Sequence, residues 1–225
     1  MADLEGPGCG SSGSPNRLGG INRNSPIVVT VRVMANRKPA SNARGRILDA
    51  ALAVSDRMGA AHLTLDAVAA EAGVSKGGVL YHFASKDLLL KGVVEHHMDQ
   101  QRSNLETAEA MFPSGPGGYL QAFVHAQRQG MEAKLHGPKA TQSLIAAAVN
   151  APELMDSPRQ QARGHIERLR ALGPDFVDAL ILTFALDGLF FGDTFEMLDL
   201  TASERKALIK ALETRAAALA ARHPG

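Results

Sequence analysis

From position 43 onward apolar residues recur at helical spacing, and short runs rich in Gly, Pro or Ser divide them into segments. Ile47, Ala51, Val54 and Met58 share one face of a first helix, Ala43 to Met58, that Gly59 stops. Leu65, Val68, Ala69 and Ala72 stand at i, i+3, i+4 and i+7, which predicts a short helix with Thr64 as its N-cap and Gly73 as its left-handed stop. Ser75 can cap another helix of about two turns. In it Val74, Val79 and Phe83 point inward, while Ser75, Lys76, Gly78, Tyr81 and His82 face out. After Ser85 a longer helix starts at Lys86 and runs to near Met111, through Leu89, Val93 and the pair His96-His97. The run PSGPGG, residues 113–118, reads as a loop. Beyond it the pattern predicts helices over Tyr119–His136, Lys139–Asn150, Pro152–Leu172, Asp175–Met197 and Ser203–Arg222. The fold class this implies is all-α.

Composition supports that reading: among 225 residues 45% are apolar and only 4% aromatic, so close packing through small side chains is expected. A formal charge of +1 excludes a polycation that coats nucleic acid indiscriminately, so any DNA binding must come from a local patch. The one cysteine, Cys9, excludes an internal disulfide framework and a cysteine-based metal cluster. No apolar signal region opens the chain and no stretch is long enough to span a bilayer, which points to the cytoplasm.

Catalytic signatures are missing: there is no G-x-S-x-G elbow, no phosphate-cradling Gly loop and no His-Glu-x-x-His motif, so the chain reads as a non-enzyme without a cofactor. Of eight histidines the densest group is Glu95-His96-His97 with Asp99. Neighbouring helical residues diverge by about 100 degrees, so His96 and His97 do not converge on one metal.

A helix, a Gly-containing turn and a second short helix with a slim, polar, cation-bearing outer face fit a DNA-reading helix-turn-helix, though ordinary helical corners share the outline. The alternative is a helical module that docks a protein. Gly59, Thr64, the run Ala72-Gly73-Val74-Ser75-Lys76-Gly77, then His82-Phe83 and Ser85-Lys86, resemble the signature of TetR-type transcriptional regulators over about Ala43 to His97. The resemblance implies a three-helix DNA-binding head, residues 43–90, on a helical ligand-binding and dimerisation body, residues 91–225. It implies a homodimeric repressor of a pseudo-palindromic duplex operator, with half-sites about 34–36 Å apart for one helical turn. Ser75, Lys76, Gly77, Gly78 and Tyr81 would face DNA, and Thr64, His82 and Lys86 would clamp phosphates, Lys86 by its likeness to the family's backbone-contacting lysine. The segment departs from many relatives in Leu80-Tyr81-His82-Phe83, where Leu80 is expected to pack and Tyr81 to reach phosphate.

Asp175–Met197 is apolar nearly all round and must be covered all round, most cheaply by a second subunit. Leu180, Phe184, Gly188 and Gly192, with Leu208, Leu212 and Leu219 of the last helix, are the expected dimer interface, a two-fold four-helix arrangement. Asp187 and Asp193 are costly inside such a helix unless a wet face, a cavity or a subunit junction receives them. Phe123, His125, Met131, Phe184 and Phe191 are the candidate lining of a pocket for a small apolar effector. Residues 1–42 are Gly-, Ser-, Pro- and Asn-rich, with Ile27–Val33 as a lone apolar run, and read as a disordered extension. Met34 opens a basic lead-in with Arg37, Lys38, Arg44 and Arg46 that could lie along phosphates. The native chain starting at Met34 is a hypothesis that a native N-terminal peptide from upstream would reject.

Overall fold

A computed structural model describes residues 43–59, 63–133 and 138–223. The expectations for residues 1–42, including Arg37, Lys38 and the start at Met34, lie outside the described residues. Among the described residues the chain is helical without strands. Helices α1 (Ala43–Met58), α2 (Leu65–Ala72) and α3 (Lys76–His82) precede the long α4 (Lys86–Glu109). The remainder comprises α5 (Pro116–Ala133), α6 (Pro138–Asn150), α7 (Asp156–Arg170), α8 (Phe176–Thr194) and α9 (Ala202–Ala220), with 3₁₀ turns at Pro152–Met155 and Gly173–Asp175. No helix among the described residues is long and apolar enough to cross a membrane.

Helix α5 begins at Pro116, inside the run expected to be a loop. Proline suits the first helical position, where its missing N–H would be unpaired anyway, so PSGPGG is half turn and half helix start.

Two apolar clusters organise these helices. The first gathers Ile47, Leu48, Ala51 and Val54 of α1, Val68 of α2, Val79 of α3, Phe83, and Leu89 and Val93 of α4. Leu154, from the 3₁₀ turn before α7, is buried in this same cluster. The second joins Leu120 and Val124 of α5, Leu169 of α7, Leu182 and Leu186 of α8, and Leu212 and Leu219 of α9.

Helix α6 ties the two clusters together. In its first turn the Ala140 N–H donates to Asp56 Oδ1 of α1 at 3.2 Å, so a carboxylate from the head caps a body helix. From the other flank of α6, Gln142 Nε2 donates to the Thr194 carbonyl at the end of α8 at 2.6 Å. His96 of α4 lies 3.1 Å from Asp49 of α1, and His97 instead meets Gln101 at 2.7 Å, so the paired histidines have separate partners.

Candidate nucleic-acid interface

Three side-chain caps fix the corner on which the site is built. Thr64 has extended backbone and its hydroxyl accepts the Ala67 N–H at 3.1 Å. Ser75 accepts the Gly78 N–H at 3.0 Å to open α3, and Ser85 accepts the Leu88 N–H at 3.2 Å to open α4. Gly73 closes α2 with φ 66° and ψ 36°, the left-handed region that a side chain would strain. The Val74 N–H then returns to the Ala69 carbonyl at 3.0 Å, and Val74 itself packs on the head core.

The phase of α3 follows from Val79 and Phe83, one turn apart and both buried. Gly92 of α4 makes room for the second: a Cβ there would lie 2.7 Å from the Phe83 ring edge. Arg44 of α1 covers that ring from outside at 5.1 Å, and Arg57 of α1 ties α2 down through Glu71 at 2.6 Å. The hydrogen bond from Arg57 lowers the Glu71 carboxyl below its ordinary range.

With those residues inward, Lys76, Gly77 and Tyr81 are exposed and Gly78 and His82 half-buried. Tyr81 is 86% exposed and its ring meets His82 edge-on at 5.1 Å. Thr64, Ser75 and Lys86 are at or near the surface on the caps and first turns of α2, α3 and α4. The expected packing of Leu80 is not found: it is 40% exposed, since its position next to Val79 turns it about 100 degrees away from the core. An apolar group therefore joins Tyr81 on the outer face. Neither Gly77 nor Gly78 is demanded by internal packing, because a Cβ at either would meet only ordinary contacts of 3.5 Å or more.

The interface and pocket residues fall differently. Phe184, Gly188 and Leu208 are exposed, and Leu180 is half-buried against the body core. Leu212 and Leu219 face inward because the register of α9 places them against α5 and α8, and Gly192 is closed over by the Leu198 side chain. These three belong to the core of the single chain and leave the expected interface.

Of the pocket candidates, Phe184 and Phe191 point out of α8, at 62% and 46% exposure, so they do not enclose a cavity with Phe123. Phe123 and Met131 pack on the body core. His125 stands against Phe112, its Nε2 buried without a partner among the described residues, and burial lowers its pKa. Asp193 pairs with Arg205 of α9, whereas Asp187 has its carboxyl raised by burial.

Sequence reasoning missed a polar thread through the body. Tyr119 O–H lies 2.7 Å from His165 Nδ1, and His165 Nε2 lies 3.1 Å from Thr183 Oγ1. Thr183 gives its only hydroxyl proton to the Ala179 carbonyl, so it accepts from His165 Nε2–H, and Nδ1 is left to accept from Tyr119. Burial holds His165 down at about 4 and pushes Tyr119 up to about 12. Arg168 lies 3.5 Å over the Tyr119 ring and binds Glu109 through two bonds of 2.6 and 2.7 Å. Around this pair opens a cavity of about 350 Å³, bounded by Pro113, Ser114, Gly115 and Gly118.

Two family models match the chain: one described as bacterial regulatory proteins, tetR family, over residues 47–93, and one described as tetracyclin repressor-like, C-terminal domain, over residues 117–217. No curated protein sequence matches it. Among solved structures, a TetR-family member from Streptomyces coelicolor A3 is 25% identical, with a TM-score of 0.61 over 77% of this chain and 98% of that one. A transcriptional regulator from Rhodococcus sp. Rha1 is 22% identical, TM-score 0.61, over 79% and 96%. The ketosteroid transcriptional regulator KstR2 of Mycobacterium tuberculosis is 17% identical, TM-score 0.54, over 79% and 95%.

Proposed function

Because the chain belongs to the TetR family of bacterial regulatory proteins, we propose that it is a homodimeric, ligand-responsive DNA-binding repressor of transcription, and not an enzyme. Residues 43–90 form the reading head and 91–225 the effector and dimerisation body. The observation that carries the reading is the pair Gly77-Gly78 inside the seven-residue α3. Both lie in the first turn of α3, where glycine costs at most the roughly 0.5–1 kcal/mol relative to alanine of a helix interior, and neither relieves an internal clash. A backbone that must lie against a base edge or phosphate explains a thin helix that packing does not.

The duplex would meet Ser75, Lys76, Gly77, Gly78 and Tyr81, with Leu80 added as an apolar contact suited to a thymine methyl, and Thr64, His82 and Lys86 on phosphates. Duplexes from the promoters flanking the gene supply the test, scored by anisotropy against salt. Binding that weakens steeply with salt, and by at least about 10-fold in Lys76→Ala plus Lys86→Ala, is expected. Exposed Leu80 and Tyr81 favour one second reading, a face that docks a protein; salt-independent binding would select it.

For the dimer, Val177, Ile181, Phe184, Gly188 and Phe191 of α8 and its C-cap Phe195 follow one another at spacings of four and three and are all exposed. That is the seam spacing of helices packed against helices, and a second copy presents the same seam about a two-fold axis. A native mass of about twice the 23.8 kDa of one chain is the corresponding expectation.

The effector would enter the cavity beside Arg168, Glu109 and Tyr119. That lining favours a compound with a polar end, in place of the small apolar one expected from Phe123, His125, Met131, Phe184 and Phe191. Helix α4 ends at Glu109 and begins at Lys86, so a ligand that binds one state of the Arg168–Glu109 tie better than the other would shift the spacing of the heads.

A further inference from the structure

Lys76, the first residue of the reading helix, does not stand alone on its face. Its ammonium lies 2.9 Å from Asp66 Oδ2 in the first turn of α2. The pair thus bridges two helices at the edge where both N-termini emerge, between the Thr64 and Ser75 caps. Both side chains are open to solvent, 54% and 67% exposed, so nothing in the protein's packing requires them to meet or prevents their parting.

Asp66 suits the first turn of α2 but not a surface built for affinity to DNA alone. Binding to arbitrary duplex comes from cations that neutralise phosphates and release counterions, and a carboxylate at the same edge works against that. While the pair is intact Lys76 is already neutralised. Once Lys76 swings to a phosphate, Asp66 is left exposed near the negatively charged backbone. A base edge is different, because guanine O6 and N7 offer Lys76 two directed acceptors that offset the lost pair at the right sequence only.

We infer that Asp66 sets the specificity of the reading head by restraining Lys76, so that the cation is released to a cognate base step and withheld from arbitrary phosphates. The inference rests on the DNA-binding reading above. It assigns Asp66 a positioning role through Lys76, not a contact of its own.

The test uses the full-length protein and a random-sequence duplex, with anisotropy followed over a salt series. Asp66→Asn should bind this duplex roughly 3- to 10-fold more tightly than wild type. Its plot of log affinity against log salt should steepen by about 0.9 for each head that gains a phosphate contact. In the Lys76→Ala background both effects should be clearly smaller, limited to relief of the repulsion between Asp66 and the phosphates. Asp66→Ser, which keeps an acceptor in the first turn of α2, should behave like Asp66→Asn and serves if the amide variant melts early. The bland reading, an acidic residue placed only to suit the α2 dipole, predicts a lower melting temperature with affinity and slope unchanged. That result overturns the inference, as does a gain of the same size without Lys76. Wild type that binds no duplex at any salt overturns the DNA-binding reading instead.

Discussion

The reading head and the body solve the same packing problem in opposite ways. In the head Val79, Phe83 and Leu89 turn inward, and the outer face of α3 is small, polar and cationic apart from Leu80 and Tyr81. In the body a hydroxyl, an imidazole and a second hydroxyl run through the interior, while α8 presents Val177, Ile181, Phe184 and Phe191 to solvent. Apolar groups left outside and polar groups kept inside both cost free energy in a lone chain, so each marks a place where the molecule is incomplete or constrained by its task. On the function proposed above, a duplex would cover the outer face of the head and a second copy the outer face of α8.

The largest effect should come from breaking the body's outer face. Phe184→Asp puts a charge in the middle of the α8 seam and should yield a monomer by light scattering. Operator affinity should fall by about 100-fold or more, because the second head no longer binds at high effective concentration. A variant that stays dimeric would move the interface elsewhere.

Acid should next separate body from head. His165 is held neutral, with its pKa lowered from 6.5 to about 4 by burial, whereas the unfolded imidazole takes up a proton below 6.5. The stability this represents is complete above pH 6.5 and is lost as pH falls toward about 4, as much as roughly 3 kcal/mol. Urea midpoints measured across that window should decline in wild type and flatten in His165→Gln. An equal decline in both would assign the acid sensitivity to other groups.

How much of this was legible follows from the same contrast. Caps and a left-handed glycine are local chemistry, so Thr64, Gly73, Ser75 and Ser85 announce the head's corners from neighbouring residues alone. Leu80 was misread because its hydrophobicity suggests burial, whereas the phase fixed by Val79 and Phe83 sends it out. In the body the pattern saturates: an α8 apolar on every side carries no mark of which stripe faces the core. The register of α9 then decided that Leu212 and Leu219 pack within the chain. Tyr119 and His165 meet across 46 positions, a pairing that no local spacing reveals. Gly92 left a faint signal, a glycine inside a helical run, which the Phe83 ring explains.

Smallest in energy, and sharpest in meaning, is Gly77→Ala. A Cβ at that position meets nothing nearer than the Ser75 hydroxyl at 3.8 Å, so the head should gain up to about 1 kcal/mol of stability. If the thin face of α3 lies against a duplex, operator affinity should fall at the same time, by roughly 10-fold. Thermal melts and anisotropy on one preparation therefore test the account most directly: stability up with binding down is the predicted result. A rise in stability with binding unchanged would contradict it.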